Sequence, residues 1–553
     1  MVLFRIATAV ACFAVVQLAL AQQPTGLQYS QFAAKGYELF GAGKFEDAQK
    51  SFHDALAIYD QDGQLWLAYG QAASKANHPD VAIEAGKKVL ELGAFAAKVK
   101  AAALFEMACA ECQQKDTKEA WKYLDQAMTA GFRSLDQIRK DPRLEPLHSD
   151  SRWEEVAATK DVSKMSRTEG WRYDLWLMDR ELRRIHYAPY RQVSPKERDG
   201  MVRKIHDQIP NLSDDQIIVE FMRYVSSFGD GHTRISVPNI SRPRLQFFNF
   251  SEGIYVTAAH ADHKDLVGKK LVEVEGQPVE KLLPKVEPMI FKDNPQGIKS
   301  IAPNYITNPV ILNGIGVKAG KEKLTMTFED EGGKRETVAV PCWLDFQPKP
   351  DWALLPRASE ILTLKNRTKN YWYEYLPDLK AIYFQYNAVQ DMKEESIAKF
   401  TERMYKEIDD KKIERLIIDN RWNGGGNTFL SQPIILGLLQ RPKISQEGGL
   451  YVITGRNTFS AAQNFTTDIA RSCQPTFVGE PTGSSPNFIG ESIPFSLPYS
   501  KIAGTVSDLY GQRSWPMDDR IWIAPDLPAI PSMKAFLAGK DPAMEIITAN
   551  LKG

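Results

Sequence analysis

A serine and a glycine-rich loop late in the chain have the residue types and order needed for acyl-transfer chemistry. The run Asn-Gly-Gly-Gly-Asn at 423–427 follows the nearly all-apolar segment 415–419, and Ser460 follows the next predicted strand, 450–454. Glycines at the end of a strand let backbone N–H groups approach a ligand oxygen without hindrance from Cβ atoms. A serine at a helix N-terminus lies at the positive end of the helix dipole, beside the free N–H of Ala461. The pattern therefore predicts a nucleophile with two oxyanion donors.

Each of these features also has a purely structural interpretation. A serine that precedes a helix is usually an N-cap, and a glycine loop is often a tight turn or a phosphate cradle. The sequence contains no Gly-x-Ser-x-Gly elbow, no Walker loop and no His-Glu-x-x-His motif. Both interpretations of Ser460 stay open on this evidence.

A histidine far upstream is the candidate general base. A capping box at Ser213 and Gln216, followed by apolar residues at helical spacing, predicts a helix over 213–228. Two glycines after this helix let the chain turn sharply, which places His232 at a corner before the extended segment 234–238. A lone histidine is more often structural or merely exposed than catalytic, so its position alone decides neither role.

The segments around Ser460 alternate between strand and helix. Strands are predicted at 381–385, 415–419, 450–454 and 476–479, and helices at 393–408, at 428–439 and from 460 onward. Alternation of this kind is typical of an α/β core, and the nearly all-apolar strand 415–419 is expected to be buried.

Residues 250–345 are predicted to be mostly β-structure. The stretch 266–280 contains a glycine turn, an alternating strand and a second glycine turn, and it resembles the part of PDZ domains that follows the peptide groove. The usual carboxylate-binding loop of PDZ domains is not evident. Segments 324–328 and 336–340 alternate like an antiparallel hairpin around the two glycines at 332–333.

The N-terminal part repeats a spacing of small residues. Gly36, Ala48 and Ala55 are 12 and 7 residues apart, and these spacings recur 34 residues on and again 38 residues further. Small residues let the two helices of a hairpin touch closely, and the period matches a tetratricopeptide repeat. Residues 28–135 therefore resemble three such repeats, which either present a concave surface to a peptide or protein partner or only pack as an appendage. Residues 136–165 are predicted to be a charged linker, broken by prolines.

The first residues have the pattern of a secretory signal. One positive charge, an apolar run over 6–20 and Ala-Leu-Ala at 19–21 precede Gln22. The apolar run is short for a membrane span, so a cleaved signal peptide over 1–21 is favoured over an uncleaved anchor. No later stretch is apolar enough to span a membrane, and the mature chain is expected in the periplasm or outside the cell.

Composition limits the partners and cofactors that the chain is expected to use. The 553 residues include 69 Lys+Arg and 69 Asp+Glu, and the pI is about 7.1, so no nucleic-acid partner is expected. Four cysteines besides Cys12 are too few for a disulfide framework in an exported chain of this size. Cys109 and Cys112 lie in a helical stretch without a second Cys or His pair, which favours two core residues over a zinc or redox half-site. We expect no metal and no other cofactor.

Four motifs together resemble the C-terminal processing (tail-specific) serine peptidases, a family that includes the tricorn core protease and the interphotoreceptor retinoid-binding protein modules. In family order they are Asp-Gly-His-Thr at 230–233, Ile-Asp-Asn-Arg-Trp-Asn-Gly-Gly-Gly at 418–426, Thr-Phe-Ser-Ala-Ala at 458–462 and Gly-Glu-Pro-Thr-Gly at 479–483. The resemblance covers the chain from about residue 166 to its end. It implies a multidomain α+β protein with a histidine-bearing helical region over 166–240, a PDZ-like domain over 250–345 and a crotonase/ClpP-like α/β catalytic core over 375–553.

The resemblance also implies catalytic roles for named residues. These are Ser460 as the nucleophile, His232 as the general base, the amides of Ala461 and Gly425 as oxyanion donors, and Asp519 as the late acid.

The match departs from both branches of the family. The lysine base of the tail-specific branch is absent, because Ser484 and Ser485 stand where it is expected. The tricorn-like branch uses a histidine that matches His232, but the serine that precedes it in that branch is Gly231 here.

Three functions follow from these patterns. The first is an exported serine peptidase that acts on a peptide or protein substrate. The second is a catalytically silent binder of a peptide or an apolar ligand, with partners docked on the repeats, because the missing lysine makes loss of activity plausible. The third is a crotonase-like acyl-thioester enzyme, which is ranked last because nothing in the sequence indicates a nucleotide site.

Overall fold

The structure is a computed structural model that describes residues 26–93, 97–132, 134–237, 241–344 and 352–551. The chain divides into two compact units, Met1–Val162 and Ser163–Gly553, which we call the N-terminal and C-terminal units. The predicted signal peptide over 1–21 lies outside the described residues. Within the described ranges, no helix is long and apolar enough to cross a membrane.

The N-terminal unit begins with three pairs of helices. They are α1 (Gly26–Gly41) with α2 (Phe45–Ile58), α3 (Gly63–Lys75) with α4 (Pro79–Leu92), and α5 (Ala97–Gln113) with α6 (Thr117–Thr129). Small residues lie where paired helices meet: a Cβ on Gly36 would clash with the ring of Phe52, and one on Gly70 would be 3.1 Å from the Cβ of Ala85. The helical hairpins predicted over 28–135 are present, while their assignment to the tetratricopeptide family stays a prediction.

The segment predicted as a linker folds onto the third helix pair. It forms α7 (Leu135–Lys140), a 3-10 helix (Pro142–Leu147) and α8 (Arg152–Val156). Ile138, Leu144 and Leu147 are fully buried in one apolar cluster with side chains of α5 and α6. The predicted linker over 136–165 therefore needs correction in its first part, because its prolines prevent a long helix but allow short ones that bury apolar side chains.

Cys109 and Cys112 lie buried in this same cluster, and neither forms a disulfide bond. Burial raises the pKa of the Cys109 thiol well above its ordinary value and raises the pKa of Cys112 to about 12. Such thiols stay protonated and unreactive at neutral pH, which supports the interpretation that they are core residues.

Replacing Leu144 with alanine should destabilise the N-terminal unit by about 2–5 kcal/mol, because the side chain is fully buried and its loss leaves a cavity. Leu27 in α1 is 69% exposed, so Leu27→Ala should change the free energy of unfolding by less than about 0.5 kcal/mol. Calorimetry of both full-length variants provides the measurement. Equal stability of the two would show that residues 135–157 do not belong to the core.

Three helices open the C-terminal unit: α9 (Arg167–Ile185), α10 (Pro195–Gln208) and α11 (Asp214–Ser226). Each begins with a capping box, in which a serine accepts a backbone N–H and a Glu or Gln three residues later returns the bond. The predicted box at Ser213 and Gln216 is one of these, and it fixes the start of the helix that leads to His232.

An antiparallel sheet follows. Its strands are β2 (Arg242–Pro243), β3 (Leu245–Phe250), β4 (Gly253–Ala259), β5 (Lys270–Val274), β6 (Gln277–Pro278), β7 (Lys323–Glu329), β8 (Arg335–Trp343) and β9 (Ala353–Leu354). Their order is β2-β8-β7-β5-β4-β3, with β6 beside β5 and β9 beside β4. Strands β7 and β8 form the predicted hairpin, with Leu324 opposite Val340.

Helices interrupt this sheet, contrary to a simple β domain over 250–345. They are α12 (Val279–Val286), α13 (Gln296–Tyr305) and α14 (Pro309–Gly314). Apolar residues at helical spacing, such as Val279, Leu282 and Val286 on α12, are buried and account for them. The PDZ-like character of the region stays a prediction.

The last part of the unit contains a six-stranded sheet in the order β10-β11-β12-β13-β14-β19. The strands are β10 (Tyr371–Leu376), β11 (Ala381–Tyr386), β12 (Arg415–Asp419), β13 (Leu450–Thr454), β14 (Thr476–Gly479) and β19 (Leu527–Pro528). Strand β10 runs antiparallel to β11, and the others pair in parallel. The strands predicted at 415–419, 450–454 and 476–479 have these bounds in the structure.

Both faces of this sheet are buried, which explains its nearly all-apolar strands. Helices α15 (Ile397–Asp410), α16 (Gln432–Leu439) and α17 (Ala461–Ser472) cover one face. On the other face, α19 (Pro542–Asn550) packs against β12 and β13, and the short α18 (Met533–Leu537) precedes it in the chain. A mixed α/β architecture of several sheets and helices is therefore present, as the sequence predicts.

Two small sheets lie beside this core. One has the order β1-β17-β16 and the other pairs β15 with β18. Their strands are β1 (Arg234–Ile235), β15 (Asn487–Gly490), β16 (Ile493–Ser496), β17 (Ala503–Val506) and β18 (Leu509–Gln512). Because β1 begins two residues after His232, its pairing with β17 joins the corner at His232 to the last part of the chain.

Candidate active site

The glycine loop and the serine loop emerge from neighbouring strands. Strands β12 and β13 pair in parallel, so their carboxyl ends lie at the same edge of the sheet. Thr458 Oγ1 donates a hydrogen bond to the Asn420 carbonyl (2.8 Å), and the Phe459 N–H donates to the Asn423 carbonyl (3.1 Å). The two loops are thus fastened to each other immediately before the serine.

Ser460 has a backbone conformation that L-amino acids rarely adopt, with φ +55° and ψ −124°. Helix α17 starts at the next residue, Ala461, and the Ser460 side chain caps none of its N–H groups. The plain N-cap interpretation of Ser460 is therefore wrong. Strain of this kind costs of order 1–3 kcal/mol and is found at functional sites, including the sharp turns that expose nucleophilic serines.

The Ser460 hydroxyl faces the predicted base. His232 Nε2 lies 3.0 Å from Ser460 Oγ, although the two residues are 228 positions apart in the sequence. The imidazole is stacked between two phenylalanine rings, with centroid distances of 4.6 Å to Phe459 and 5.6 Å to Phe488. This distance is within the range expected for a nucleophile and the base that accepts its proton.

The carboxylate of Asp230 stabilises the turn that contains His232. Its Oδ1 accepts the backbone N–H groups of His232 (2.8 Å) and Thr233 (2.7 Å) and the hydroxyl of Ser507 (2.6 Å). Its Oδ2 lies 2.9 Å from His186 Nε2, whose other ring nitrogen accepts the N–H of Ala188, so Nε2 carries the proton and donates. The Asp230 carboxylate thus holds the backbone of His232 through Oδ1, and His186 holds the carboxylate through Oδ2.

Burial controls the charge of these groups. Desolvation lowers the pKa of His232 to about 4, although the negative charge of Asp230 acts to raise it. Burial alone would raise the pKa of Asp230, but hydrogen bonds from His186 and Ser507 lower it to about 2. At neutral pH His232 is thus neutral and able to accept a proton, and Asp230 is a carboxylate.

The predicted late acid does not reach the histidine. His232 Nδ1 is buried and has no hydrogen-bond partner in the described part of the chain. Asp519 is exposed in the loop after β18. The structure therefore pairs Ser460 with His232 but does not place Asp519 as the group that orients the imidazole.

The glycine loop packs directly against the serine. Gly425 has φ +107°, and a Cβ there would lie 2.8 Å from Ser460 Cβ and 2.9 Å from the Ala461 nitrogen. The Gly425 N–H donates to the side-chain oxygen of Asn423 (3.0 Å), so this predicted oxyanion donor already has an acceptor within its own loop. A Cβ on Gly424 would meet nothing within 4 Å.

Sequence reasoning missed two residues that contact the Ser460–His232 pair and a third that contacts their neighbours. Phe488 stacks on His232 from β15, and Ser484 Oγ accepts the Ser460 N–H at 3.4 Å. Asp293 accepts the Ser484 hydroxyl (2.7 Å) and the Gly231 N–H (2.7 Å). Ser484 had a local signal, because it stands where the family lysine is missing, whereas Phe488 and Asp293 lie in remote segments without a motif.

The site uses no evident metal ligands. Among the described residues, no group of three or more His, Cys, Asp or Glu side chains is arranged to hold a metal ion. The available groups are a hydroxyl, an imidazole and backbone N–H groups, which are the parts needed for nucleophilic acyl transfer.

The sequence matches no family model and no curated protein. Solved structures do resemble it. Mature CPAF complexed with lactacystin has a TM-score of 0.49 and 13% identity, covering 70% of this chain and 98% of that chain. The photosystem II D1 C-terminal processing protease has a TM-score of 0.34 and 12% identity, covering 69% and 97%. Tricorn protease has a TM-score of 0.34 and 14% identity, covering 70% and 37%. The solved structures that it resembles include a C-terminal processing protease and the tricorn protease, the two kinds of protein that the sequence motifs resemble.

The low pKa of His232 should depend on its aromatic neighbours. With His232 Cε1 labelled for NMR, the imidazole should titrate near pH 4, and Phe488→Ala should move this titration upward toward the ordinary value of about 6.5 by admitting water. Phe429 is 73% exposed, so Phe429→Ala should leave the titration unchanged. A wild-type midpoint near 6.5 would contradict the burial that the structure assigns to the ring.

Proposed function

We propose that this chain is a serine peptidase with Ser460 as nucleophile and His232 as general base. The observation that carries the proposal is the 3.0 Å approach of His232 Nε2 to Ser460 Oγ at a strained turn. The strained backbone at φ +55° has no evident use for a serine with a structural role. For a nucleophile, it exposes the hydroxyl to a substrate carbonyl.

The first step follows from the protonation states. Neutral His232 takes the hydroxyl proton through Nε2 as Ser460 Oγ attacks the carbonyl carbon of the scissile amide. The tetrahedral intermediate collapses when the imidazolium gives this proton to the leaving amine, and an acyl ester on Ser460 remains. Water then attacks the ester, with His232 again accepting the proton, and the imidazolium returns this proton to Ser460 Oγ as the C–O bond breaks and the acid product leaves.

Backbone N–H groups would stabilise the negative oxygen of the intermediate. The Ala461 N–H lies at the start of α17, where the helix dipole is positive. Gly425 is the proposed second donor, and its N–H must leave Asn423 Oδ1 to reach the oxyanion. This exchange puts a charge-assisted hydrogen bond in place of a neutral one, which favours the intermediate over the resting state.

A peptide or protein is the proposed substrate, in keeping with the C-terminal processing peptidases that the motifs resemble. The alternatives are a silent binder of a peptide or an apolar ligand and a crotonase-like acyl-thioester enzyme. The Ser460–His232 contact favours the peptidase over the silent binder, because a site without catalysis has no need of a paired base.

The remaining proposals concern location and partners. Export by the predicted signal peptide would place the enzyme in the periplasm or outside the cell. The helical hairpins of the N-terminal unit, with their predicted tetratricopeptide character, would dock a protein partner. The PDZ-like region would lie beside the catalytic core as in the family.

Ser460→Ala should abolish labelling by a fluorophosphonate probe and lower peptide hydrolysis on the order of 10⁶-fold, since the nucleophile is lost. Ser472→Ala is the matched control, because Ser472 is exposed at the other end of α17. Labelling is read by mass spectrometry and hydrolysis by a proteome-derived peptide library. A folded wild type that the probe never labels would favour the silent binder.

Gly425→Ala should lower kcat/KM by about 10²–10³-fold, because the Cβ would press on Ser460 and obstruct an oxyanion donor. Gly424→Ala should have little effect, since space is open at that position. Thermal melting of both variants separates a catalytic effect from the strain of alanine at φ +107°. Equal activity of the two variants would remove Gly425 from the oxyanion site.

A further inference from the structure

Asp293 lies in the segment that precedes α13, and the peptidase mechanism above gives it no role. Its two carboxylate oxygens have separate partners. Oδ1 accepts the Gly231 N–H at 2.7 Å, and Oδ2 accepts the Ser484 hydroxyl at 2.7 Å. Gly231 directly precedes His232, and Ser484 Oγ in turn accepts the Ser460 N–H at 3.4 Å. One side chain therefore connects the backbone before the base with the backbone of the nucleophile.

Neighbouring residues strengthen this connection. Asn294 Nδ2 donates to the carbonyls of Thr482 (3.0 Å) and Ile521 (2.7 Å), and Ser300 Oγ donates to Asn457 Oδ1 (2.6 Å). The segment 293–300 thus binds the turn that contains Ser484 and the loop that leads to Ser460.

The absence of a side chain at position 231 makes this close approach possible. A Cβ on Gly231 would lie 2.6 Å from the ring of Phe459 and 3.1 Å from Asp293 Oδ1. Any larger residue would push Asp293 or the stacked Phe459 away from His232. The glycine that departs from the tricorn-like pattern therefore fits the carboxylate beside it.

We infer that Asp293 is a positioning residue that sets the separation of His232 and Ser460 through Gly231 and Ser484. The inference rests on the proposed peptidase function. Asp293 contacts neither reacting atom, so its effect passes through the two loops. A displacement of about 1 Å at reacting atoms can lower a rate 10²-fold, so a tie of this kind has a measurable consequence.

The charge of Asp293 gives the inference a distinctive signature. Burial raises its pKa to about 7, hydrogen bonds from Ser484 and Gly231 oppose the rise, the Asp230 carboxylate adds to it, and Arg191 lowers it. An ionised carboxylate accepts both bonds, whereas the protonated form must donate from one oxygen. The tie is therefore complete above about pH 7 and weakens below it.

The two titrating groups act in separate pH ranges. His232 loses its proton near pH 4 and is neutral throughout the range in which Asp293 titrates. The rate of fluorophosphonate labelling should thus rise with pH in two steps, near about 4 for the base and near about 7 for the positioning carboxylate. Both steps have the same sign, because both groups must be deprotonated.

The test measures the second-order rate constant for labelling of the full chain between pH 5.5 and 9. This range includes the step near pH 7 and excludes the step near pH 4. Asp293→Asn should lower the rate by about 10–100-fold and remove the step near pH 7, since the amide does not titrate. Ser484→Ala removes the link to the nucleophile and should reduce the height of the step; the part that acts through Gly231 should move to higher pH, because Ser484 is one of the groups that hold the pKa of Asp293 down. The Ser484→Ala variant provides the test if Asp293→Asn fails to fold.

Asp174 provides the matched control. It is a buried aspartate with a raised pKa that accepts two backbone N–H groups, from Tyr499 (3.0 Å) and Ser500 (2.7 Å), outside the catalytic loops. Asp174→Asn should keep the step near pH 7 and the wild-type rate, with thermal melting reported for all variants.

The outcomes are distinct. A folded wild type that resists labelling at every pH contradicts the proposed peptidase function itself. Labelling of wild type with an Asp293→Asn profile that keeps the step near pH 7 overturns the role of Asp293 alone, whatever the rate. A step that keeps both its height and its pH in Ser484→Ala also overturns it.

Discussion

The backbone of Ser460, held at φ +55°, is the constraint to which the rest of the candidate active site is fitted. Such a conformation costs of order 1–3 kcal/mol, and it persists only if surrounding contacts determine it. Hydrogen bonds from Thr458 and Phe459 to the preceding loop and from the Ser460 N–H to Ser484 supply these contacts. With each bond contributing about 0.5–1.5 kcal/mol, three of them are enough to offset the strain.

This arrangement requires the parallel sheet. Loops that leave the carboxyl ends of β12 and β13 start about 5 Å apart, the spacing of neighbouring strands, so the glycine loop lies beside the serine. The position of His232 does not follow from the parallel sheet, since this residue comes after α11 in a separate helical region. Asp230 and the pairing of β1 with β17 bring it to the same edge. Sheet geometry thus positions the glycine loop and Ser460, and the buried carboxylate of Asp230 helps to position His232.

The parts of the site that the sequence predicts are those with local patterns. Strands at 415–419 and 450–454 are apolar because both faces of the sheet are covered, and Ser460 follows from its place before a helix. Asp293 and Phe488 could not be found in this way, because their partners lie in segments distant in sequence and neither belongs to a motif. The linker prediction is wrong over 136–157 for a related reason: the prolines were visible, but the apolar surface that these short helices cover was not.

The environment of His232 sets a limit on how the proposed enzyme works. Stacking between Phe459 and Phe488 keeps the base neutral, but a pKa near 4 instead of 6.5 disfavours the imidazolium by roughly 3 kcal/mol at about 1.4 kcal/mol per unit. In a triad an acid on Nδ1 removes this cost, and here Nδ1 has no partner among the described residues. In the proposed mechanism the negative oxygen develops two bonds from Ser460 Oγ, which lies 3.0 Å from Nε2, so its charge favours the imidazolium. In that mechanism the proposed base would gain proton affinity only as a substrate reacts, so the Ser460–His232 pair would be inert at rest and activated by the transition state that it helps to form.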